Sequence, residues 1–430
     1  MIKYSSFIIA IMFGVIGYGQ VTNTSPYSYF GIGDFNQQTT VVSSSMGGLA
    51  IASNEENGIN FANPAGNSAL KFTILSIAGK TNFLEIDDGT TTQSASNTSL
   101  SYLALGIPFG EKGGLLVGLQ PNSNVGYAIT EELFDVNDEV VEANVFNGNG
   151  GTNRFFGSFG YKVYEGLSLG LEAEYIFGSI DNNLINQRLD VALSTRHRLI
   201  SNLRGGGIKI GAQYQKELKE NLEVQAGASV KLANNLNATS EEYLYSFDYT
   251  SFGVEQPQDS LINNTDLEGQ IERPLSWSAG IGVGKSNNWH AGIEYSAQGA
   301  LNFDDSVFLS NNKIKYEPSS KVSIGGFWLP KRNSITSYWH RVTYRAGVKF
   351  ESPGISISTT ANPTEFTALD DFGMSFGLGL PIGNQLSQVN LGFEYGNRGN
   401  TNNGLIKENY FNLRLGLNLA DKWFHKRKIN

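Results

Sequence analysis

Residues Leu222–Leu232 read Leu-Glu-Val-Gln-Ala-Gly-Ala-Ser-Val-Lys-Leu, in which apolar side chains alternate with polar or small ones. Successive side chains of a β-strand point to opposite faces, so one face of this stretch is apolar and the other is polar. The same division runs through Leu167–Phe177 and His340–Phe350. These segments predict strands that separate an apolar environment from a polar one.

Cations on the polar rows decide which face meets lipid if these strands cross a membrane. A Lys or Arg on the lipid-facing side costs about 2–4 kcal/mol at the bilayer midplane, so Lys231, Arg345 and Lys349 should face a lumen. A soluble sandwich also alternates, but it needs fewer strands. We predict strands near residues 71–82, 97–109, 114–130, 145–163, 166–180, 199–215, 221–234, 271–284, 288–300, 318–330, 338–352, 370–381, 387–397 and 406–419. About fourteen strands, an even number, indicate an outer-membrane barrel.

The connections between the predicted strands alternate between short and long. Short turns of bacterial barrels face the periplasm and long loops face outside, which predicts that both chain termini are periplasmic. The long connections fall near 83–96, 131–144, 181–198, 235–270, 301–317, 353–369 and 398–405. The short connections include 330–334.

The two ends of the chain are predicted to lie outside the barrel. Residues 1–19 combine Lys3, the apolar run Phe7–Val15 and the small residue Gly19, which is typical of a secretory signal peptide. The basic residues 421–430 are predicted to form a periplasmic tail. The chain has no Cys, which excludes disulfides and thiolate metal sites, and its net charge of −9 argues against nucleic acid as a partner.

Residues 20–70 are too irregular to form a strand, and they precede the first predicted one. A barrel much wider than eight strands has a lumen that its own wall side chains cannot fill. The sequence therefore predicts an all-β fold. It is a transmembrane antiparallel β-barrel of about 14 strands over residues 71–420, with residues 20–70 as an N-terminal hatch, or plug, inside the lumen.

Two motifs within residues 20–70 resemble a known family. Ser45-Met46-Gly47-Gly48, followed by Asn63-Pro64-Ala65-Gly66, is similar to the hatch of the FadL/TodX family. Members of that family are fourteen-stranded outer-membrane transporters of hydrophobic compounds. Residues 26–33 resemble the start of Bacteroidetes-type members. The resemblance implies a cell outer-membrane protein that passively transports hydrophobic small molecules or lipids, such as long-chain fatty acids, without a cofactor.

The hatch supplies the first set of candidate site residues. Its aromatic and apolar side chains could contact a ligand, whereas the alternative is that they only pack the hatch against the wall. Asn63-Pro64 is a chain reversal, and the glycines allow close packing. The candidate residues are Tyr27, Tyr29, Phe30, Ile32, Phe61, Asn63, Pro64, Ala65 and Gly66.

The third predicted strand contains a break. Proline cannot donate to a strand ladder, and Pro121, Asn122, Ser123 and Asn124 interrupt the apolar alternation. We expect Val125 and Tyr127 to resume the outward row with unchanged parity. The resemblance implies a kink here that lets substrate leave sideways into the membrane, so these four residues are the candidate lateral gate. The alternative is that the strand ends near Gln120.

The 235–270 connection is unusually aromatic. By resemblance it is a candidate extracellular groove for hydrophobic ligands, and the alternative is a pair of strands that extends above the membrane. The candidate groove residues are Tyr243, Tyr245, Phe247, Tyr249 and Phe252.

Enzyme chemistry is not predicted. The four His residues are scattered without metal-ligand spacing, and no Gly-x-Ser-x-Gly elbow is present. Two non-enzymatic alternatives to transport remain open. One is a non-conducting subunit of a larger envelope complex, such as the related partner barrels of type IX secretion, and the other is a polar porin. Outer-membrane lipids and the barrel-assembly machinery are also expected partners. By resemblance, that machinery recognises the last strand, Tyr410–Leu419.

Overall fold

The computed structural model describes residues 25–53, 58–218, 221–304, 313–359, 365–383 and 386–422. The predicted signal peptide, residues 1–19, and residues 423–430 of the predicted tail lie outside these ranges. Among the described residues, no helix is long and apolar enough to cross a bilayer.

Strands make up most of the described chain. They are β1 (Asp34–Phe35), β2 (Thr73–Asp87), β3 (Thr92–Phe109), β4 (Gly113–Phe134), β5 (Val140–Tyr164), β6 (Leu167–Arg188), β7 (Ser194–Glu217), β8 (Leu222–Lys231), β9 (Asn234–Tyr249), β10 (Glu255–Arg273), β11 (Ser276–Lys285), β12 (Trp289–Gln298), β13 (Asn302–Phe303), β14 (Ile314–Tyr316), β15 (Ser319–Trp328), β16 (Thr343–Ser352), β17 (Ile355–Ile357), β18 (Thr367–Ala368), β19 (Asp371–Ile382), β20 (Ser387–Arg398) and β21 (Lys407–Asp421). A short helix α1 covers Val41–Ser44, and 3-10 turns cover Pro26–Tyr29, Pro64–Ala69, Trp339–Arg341 and Asn402–Gly404.

Fourteen of these strands form a closed antiparallel barrel, which confirms the predicted fold class. Neighbours pair in the order β2, β3, β4, β5, β6, β7, β8, β11, β12, β15, β16, β19, β20 and β21. The ring closes where Thr73 of β2 pairs with Asp421 of β21. Each barrel strand coincides with one predicted segment.

The two faces of the wall differ as the alternation predicts. On β6, Leu171 is 54% exposed and its neighbour Glu172 is 1% exposed. On β16, Phe350 is exposed whereas Lys349 is buried. An apolar outer row and a polar inner row therefore run along the wall.

Several predicted long loops are instead continuations of the strands. Strands β2 and β3 are joined by residues 88–91 alone, and the predicted 235–270 loop is the hairpin β9–β10. Sequence patterning missed these extensions because their side chains are polar on both faces, as in Thr92–Ser99. In contrast, the predicted short turn after β15 is a longer connection, residues 329–342.

The first described residues lie at the long-connection end of the barrel. The hydroxyl of Ser25 bonds the Glu408 carboxylate at the start of β21, 2.5 Å away, and Tyr27 donates to the carbonyl of Ile406. Glu408 is at the opposite end of β21 from Asp421. Ser25 is therefore tied to the end of the barrel opposite Asp421, whereas the N-terminus that was predicted to be periplasmic lies outside the described residues.

Candidate functional site

The N-terminal segment (residues 25–53 and 58–70) has little regular structure but defined caps. Thr40 and Ser43 form a reciprocal capping box around α1. Asn63 caps the turn Pro64–Ala69 by accepting from the amide of Ala65 at 3.1 Å. Its segments contact inward-facing rows of the wall, and these contacts define the candidate site.

Asn63 and Pro64 lie flat against three adjacent strands. A β-carbon on Gly160, Gly170 or Gly211 would come within 3.0 Å of atoms of the Asn63–Ala65 stretch. Asn63 also donates its side-chain amide to the carbonyls of Ile51 and Ala212, each at 3.0 Å. The Asn-Pro-Ala-Gly motif is therefore a wall-contact element, completed by glycines on β5, β6 and β7.

The other motif makes the same kind of contact on a different part of the wall. Met46 and Gly47 pack against Gly325 of β15 and Gly347 of β16, where a β-carbon would also be closer than 3.0 Å. Gly47 has a φ of 73°, which favours glycine, and its amide donates to Ser375 at 2.8 Å. The two motifs thus contact widely separated strands.

A wall carboxylate binds the backbone between the two motifs. Oε1 of Glu294, on β12, accepts from the amides of Ala50, Ile51 and Ala52, at 2.7 Å for Ala50 and 3.3 Å for Ala52. Sequence analysis identified no special role for Glu294. The only indication in the sequence was that Glu294 is an acidic residue at a position predicted to face the lumen.

Ion pairs fill much of the inner face of the wall. Arg154 on β5 is buried and pairs with Glu172 at 3.2 Å and Glu174 at 3.0 Å, and Lys209, Lys231 and Arg273 complete the cluster. Buried charges in such clusters are tolerated because each has an opposite partner. Each cation of this cluster contacts a carboxylate, but the cluster as a whole has more cations than carboxylates.

A second charged group joins the N-terminal segment to the wall. Arg398 of β20 pairs with Asp34 of β1 at 2.9 Å and with Glu408. Its guanidinium also lies over the ring of Tyr27, 5.1 Å from the centroid. Burial raises the pKa of Tyr27 to about 12, so this phenol is neutral at physiological pH.

A cavity of about 500 Å³ lies between the N-terminal segment and the wall. Its lining combines residues of the N-terminal segment, the inner faces of β3 and β4 and several charged side chains. The charged residues include Lys80, Lys231, Lys349, Asp371 and Glu394. The lining of the cavity therefore mixes charged and polar groups with apolar ones such as Phe30 and Ile32.

The predicted hatch residues divide between this cavity and packed clusters. Phe30 and Ile32 line the cavity. Tyr27 packs with Leu369. The ring of Phe61 contacts the ring of Tyr102 edge-on, with 5.0 Å between the ring centroids. The ring of Tyr29 contacts that of Tyr127 in the same way, with 5.1 Å between the centroids.

The candidate gate residues lie where β4 leaves β3. The β3–β4 ladder runs from Phe109 and Gly113 to Leu103 and Leu119, whereas β4 continues to Phe134 along β5. The alternative that the strand ends near Gln120 is therefore wrong. Above Leu119, β4 is no longer paired with β3, which leaves a gap in the wall, and β1 enters this gap by pairing Asp34 and Phe35 with Asn124 and Ser123.

A β-bulge marks the start of this gap. Pro121 pairs with Asn153 and Ser123 pairs with Thr152, so Asn122 is an extra residue. The hydroxyl of Thr152 bonds both Asn122 and Ser123, at 2.8 and 2.7 Å. Pro121, Asn122 and Asn124 all line the cavity.

The bulge corrects the predicted parity of β4. Leu115 is exposed before the bulge, but Val125 and Tyr127 are buried in an inner apolar cluster with Ile32. One extra residue exchanges the two faces of a strand. The expectation that Val125 and Tyr127 resume the outward row is therefore wrong.

Four of the five predicted groove residues, Tyr243, Tyr245, Phe247 and Tyr249, form a row on β9, which agrees with the strand-pair alternative and not with a loop. Phe247 is fully buried beneath Arg196, while Phe252 at the hairpin turn is 92% exposed. Tyr243 donates to Glu241 and Tyr245 to Glu255, each at 2.8 Å. The bond to Glu241 raises the pKa of Tyr243, and burial raises that of Tyr245. Tyr249 is half-exposed.

Solved structures with this fold are channels and transporters. A CymD monoaromatic hydrocarbon channel is 17% identical, with 91% of this chain and 100% of that chain covered and a TM-score of 0.56. The toluene transporter TbuX of Ralstonia pickettii is 12% identical, with 90% and 99% covered and a TM-score of 0.55. A FadL homologue of Pseudomonas aeruginosa is 12% identical, with 91% and 99% covered and a TM-score of 0.57. Identities this low establish the fold alone.

Sequence comparison gives one further match. A family model described as BamG matches residues 1–430. No curated protein matches the chain in sequence.

Proposed function

The chain belongs to the BamG family, and we propose that it is an outer-membrane barrel that passes hydrophobic small molecules sideways into the membrane. The observation that carries this proposal is the departure of β4 from β3 above Leu119, beside the cavity. The hydrocarbon and toluene specificities of the structural neighbours favour a hydrophobic substrate here as well. The Bacteroidetes-type resemblance of residues 26–33 stays a prediction.

In this proposal the N-terminal segment is the plug of the barrel. Support comes from its contacts with inward-facing glycines on opposite parts of the wall, at Asn63–Ala65 and at Met46–Gly47. Glu294 adds a polar anchor. We assign Phe61 and Asn63–Gly66 to holding the plug on the wall.

The ligand path runs from the long-connection end to the gap. Tyr249 and Phe252 on the β9–β10 hairpin are the exposed members of the predicted groove and would meet a hydrophobic ligand first. Phe30 and Ile32 would contact it in the cavity, with Tyr27 and Tyr29 packed behind them. It would leave between β3 and β4 at Pro121–Asn124. A long-chain fatty acid fits this path because its carboxylate can meet the cavity lysines.

Uptake of radiolabelled oleate tests the transport role. A Gram-negative host that lacks its own fatty-acid transporter is compared with the same host carrying this chain, at equal amounts of folded barrel. We expect faster uptake with the chain and slower uptake after Phe30→Ala and Ile32→Ala are combined. Equal uptake by the empty host would contradict the role for oleate, and toluene is the second probe.

A second candidate function is a non-conducting barrel subunit of a larger envelope complex. The charged residues in the lining of the cavity favour it, because lysines and carboxylates are unusual surroundings for a hydrocarbon path. Native mass spectrometry of protein extracted gently from its own membrane separates the candidates. A bound lipid or fatty acid supports transport, and a stoichiometric bound protein supports the subunit role.

A further inference from the structure

The connection from β15 to β16, residues 329–342, is an ordered structure at the short-connection end of the barrel. The amide of Lys331 donates to the carbonyl of His340 at 2.8 Å, which closes the connection at its base. The hydroxyl of Tyr338 donates to the carbonyl of Pro381, near the end of β19, at 3.2 Å. The connection is therefore held against the rim of the wall.

Aromatic side chains join this connection to the outer face of the wall. Tyr344 lies on the outer row of β16, and its hydroxyl donates to the carbonyl of Trp339 at 3.2 Å. The ring of Tyr344 also contacts that of Trp328 on β15, with 5.8 Å between the centroids. Trp328 is 56% exposed and Trp339 is 61% exposed. The apolar outer face thus continues from the wall onto the connection.

The same connection is basic. It carries Lys331, Arg332 and Arg341, and residues 329–342 contain no Asp or Glu. Lys331 is exposed. The guanidinium of Arg341 lies over the ring of Tyr338, 5.3 Å from the centroid. Positive charge is therefore placed directly beside the exposed aromatic side chains.

The tip of the connection carries an apolar side chain. The hydroxyl of Ser334 accepts from the amide of Ser337 at 3.3 Å, and Ile335 between them is fully exposed. A single exposed apolar residue is ordinary, but this one shares a short connection with an exposed Trp and three cations. Trp and Tyr are enriched at membrane–water interfaces, and Lys and Arg are attracted to anionic lipid headgroups. The three features together fit the surface of a bilayer that contains anionic phospholipid.

We propose that residues 331–341 bind anionic phospholipid headgroups of the periplasmic leaflet, with Ile335 and Trp339 in the interfacial layer. The leaflet follows from the position of the connection, because short connections of bacterial barrels face the periplasm. Lipid is favoured over a protein partner because the lipid layer that covers Trp328 on the wall would also reach Trp339. The inference rests on the outer-membrane location of the barrel and does not require a ligand to pass through it.

A turn at the same end of the barrel provides an internal comparison. The amide of Lys162 donates to the carbonyl of Lys112 at 2.7 Å, so two lysines are neighbours there. Glu111 and Glu165 are next to them in the chain and balance their charge. Lys112 is exposed, as Lys331 is. Removal of the Lys112 charge therefore changes the net charge of the barrel equally but leaves the proposed site intact.

Fluorescence at one engineered cysteine tests the position of the tip, because the natural chain has no Cys. Ile335→Cys is labelled with the fluorophore NBD, and the matched control is Val136→Cys, which is also fully exposed but lies between β4 and β5 at the opposite end. Both barrels are placed in vesicles of phosphatidylethanolamine and phosphatidylglycerol. Lipids with a doxyl quencher close to the headgroup should quench residue 335 several-fold more than residue 136. Equal quenching at the two positions would overturn the proposal.

Titration of the NBD-labelled Ile335→Cys barrel in detergent tests the charge requirement. Dihexanoyl phosphatidylglycerol should change the emission at lower concentrations than dihexanoyl phosphatidylcholine. Adding Lys331→Gln should weaken the response to phosphatidylglycerol about fivefold, which is the contribution of one cation near an anionic lipid surface, whereas Lys331→Arg and Lys112→Gln should retain it. Heat-modifiable migration verifies that each variant is folded. An equal response to the two lipids, or a response of Lys331→Gln no weaker than that of Lys112→Gln, would overturn the proposal.

Discussion

Asn63 and Gly211 fit together so closely that a β-carbon on Gly211 would lie less than 3.0 Å from the Asn63 side-chain oxygen. Asn63 is fully buried and caps the turn that follows it. The contact joins the most distinctive motif of the N-terminal segment to an inward row of the wall. Any residue with a β-carbon at position 211 would therefore clash with the Asn-Pro-Ala-Gly motif.

Gly211→Ala should therefore displace the N-terminal segment. Overpacking of a tight contact costs about 1–3 kcal/mol, so we expect a lower thermal midpoint of the barrel and a larger conductance in planar bilayers. The control is Gly157→Ala on β5, where an added β-carbon meets nothing within 4 Å. A conductance change that is the same for both variants would argue against this contact as a seal.

Glu294→Ala should loosen the middle of the N-terminal segment. It removes the acceptor of three backbone amides, and each hydrogen bond to a charged group contributes about 1.5–3 kcal/mol. We expect limited proteolysis to cleave residues 45–66 several-fold faster than in the natural protein. Glu294→Gln keeps an acceptor oxygen and should have a smaller effect. Identical cleavage of the two variants would show that the acceptor is not what holds this segment.

Glu174→Met should destabilise the barrel strongly. Glu174 pairs with Arg154, Lys231 and Arg273, and removing one partner of a buried ion pair costs about 3–5 kcal/mol because the remaining charges are left uncompensated. The exposed pair Arg188–Asp190 is the control, because Arg188→Met should cost no more than about 1 kcal/mol. Heat-modifiable electrophoresis measures the thermal unfolding midpoint of each variant.

The turn that leads into β3 should depend on pH. Asp88 accepts from the amides of Thr90 and Thr91, at 2.8 and 2.7 Å, and these bonds lower the pKa of its carboxyl. A lowered folded-state pKa means that the stabilisation is present above the ordinary Asp range, near about 3.9, and is lost as pH falls toward the folded value. The protection factor of the Thr90 amide against hydrogen exchange should therefore fall in acid, and Asp88→Asn should reduce this pH dependence.

Alternation along the chain was sufficient to locate every barrel strand. In Leu167–Phe177 and Leu222–Leu232 each side chain falls on the predicted face, because lipid outside and charges inside impose a period of two. The motifs at residues 45–48 and 63–66 were identified by resemblance alone, and the structure shows that both contact the wall.

Features without periodic constraint could not be predicted. Thr92–Ser99 carries mainly polar side chains on both faces, so it shows no alternation. The bulge at Asn122 reversed the faces of Val125 and Tyr127 although their parity in sequence is unchanged. Glu294 bonds backbone amides of a distant segment, and nothing local in sequence records such a partner.

Sideways release at Pro121–Asn124 is the central claim, and uptake of radiolabelled oleate by a gap variant tests it most directly. Pro121→Ala, Asn122→Val and Asn124→Val together restore a ladder donor and favour strand pairing toward β3. The control combines Asn235→Val and Asn237→Val on the exposed face of β9. The account predicts that the gap variant folds but loses most uptake while the control keeps it, and undiminished uptake by the folded gap variant would contradict it.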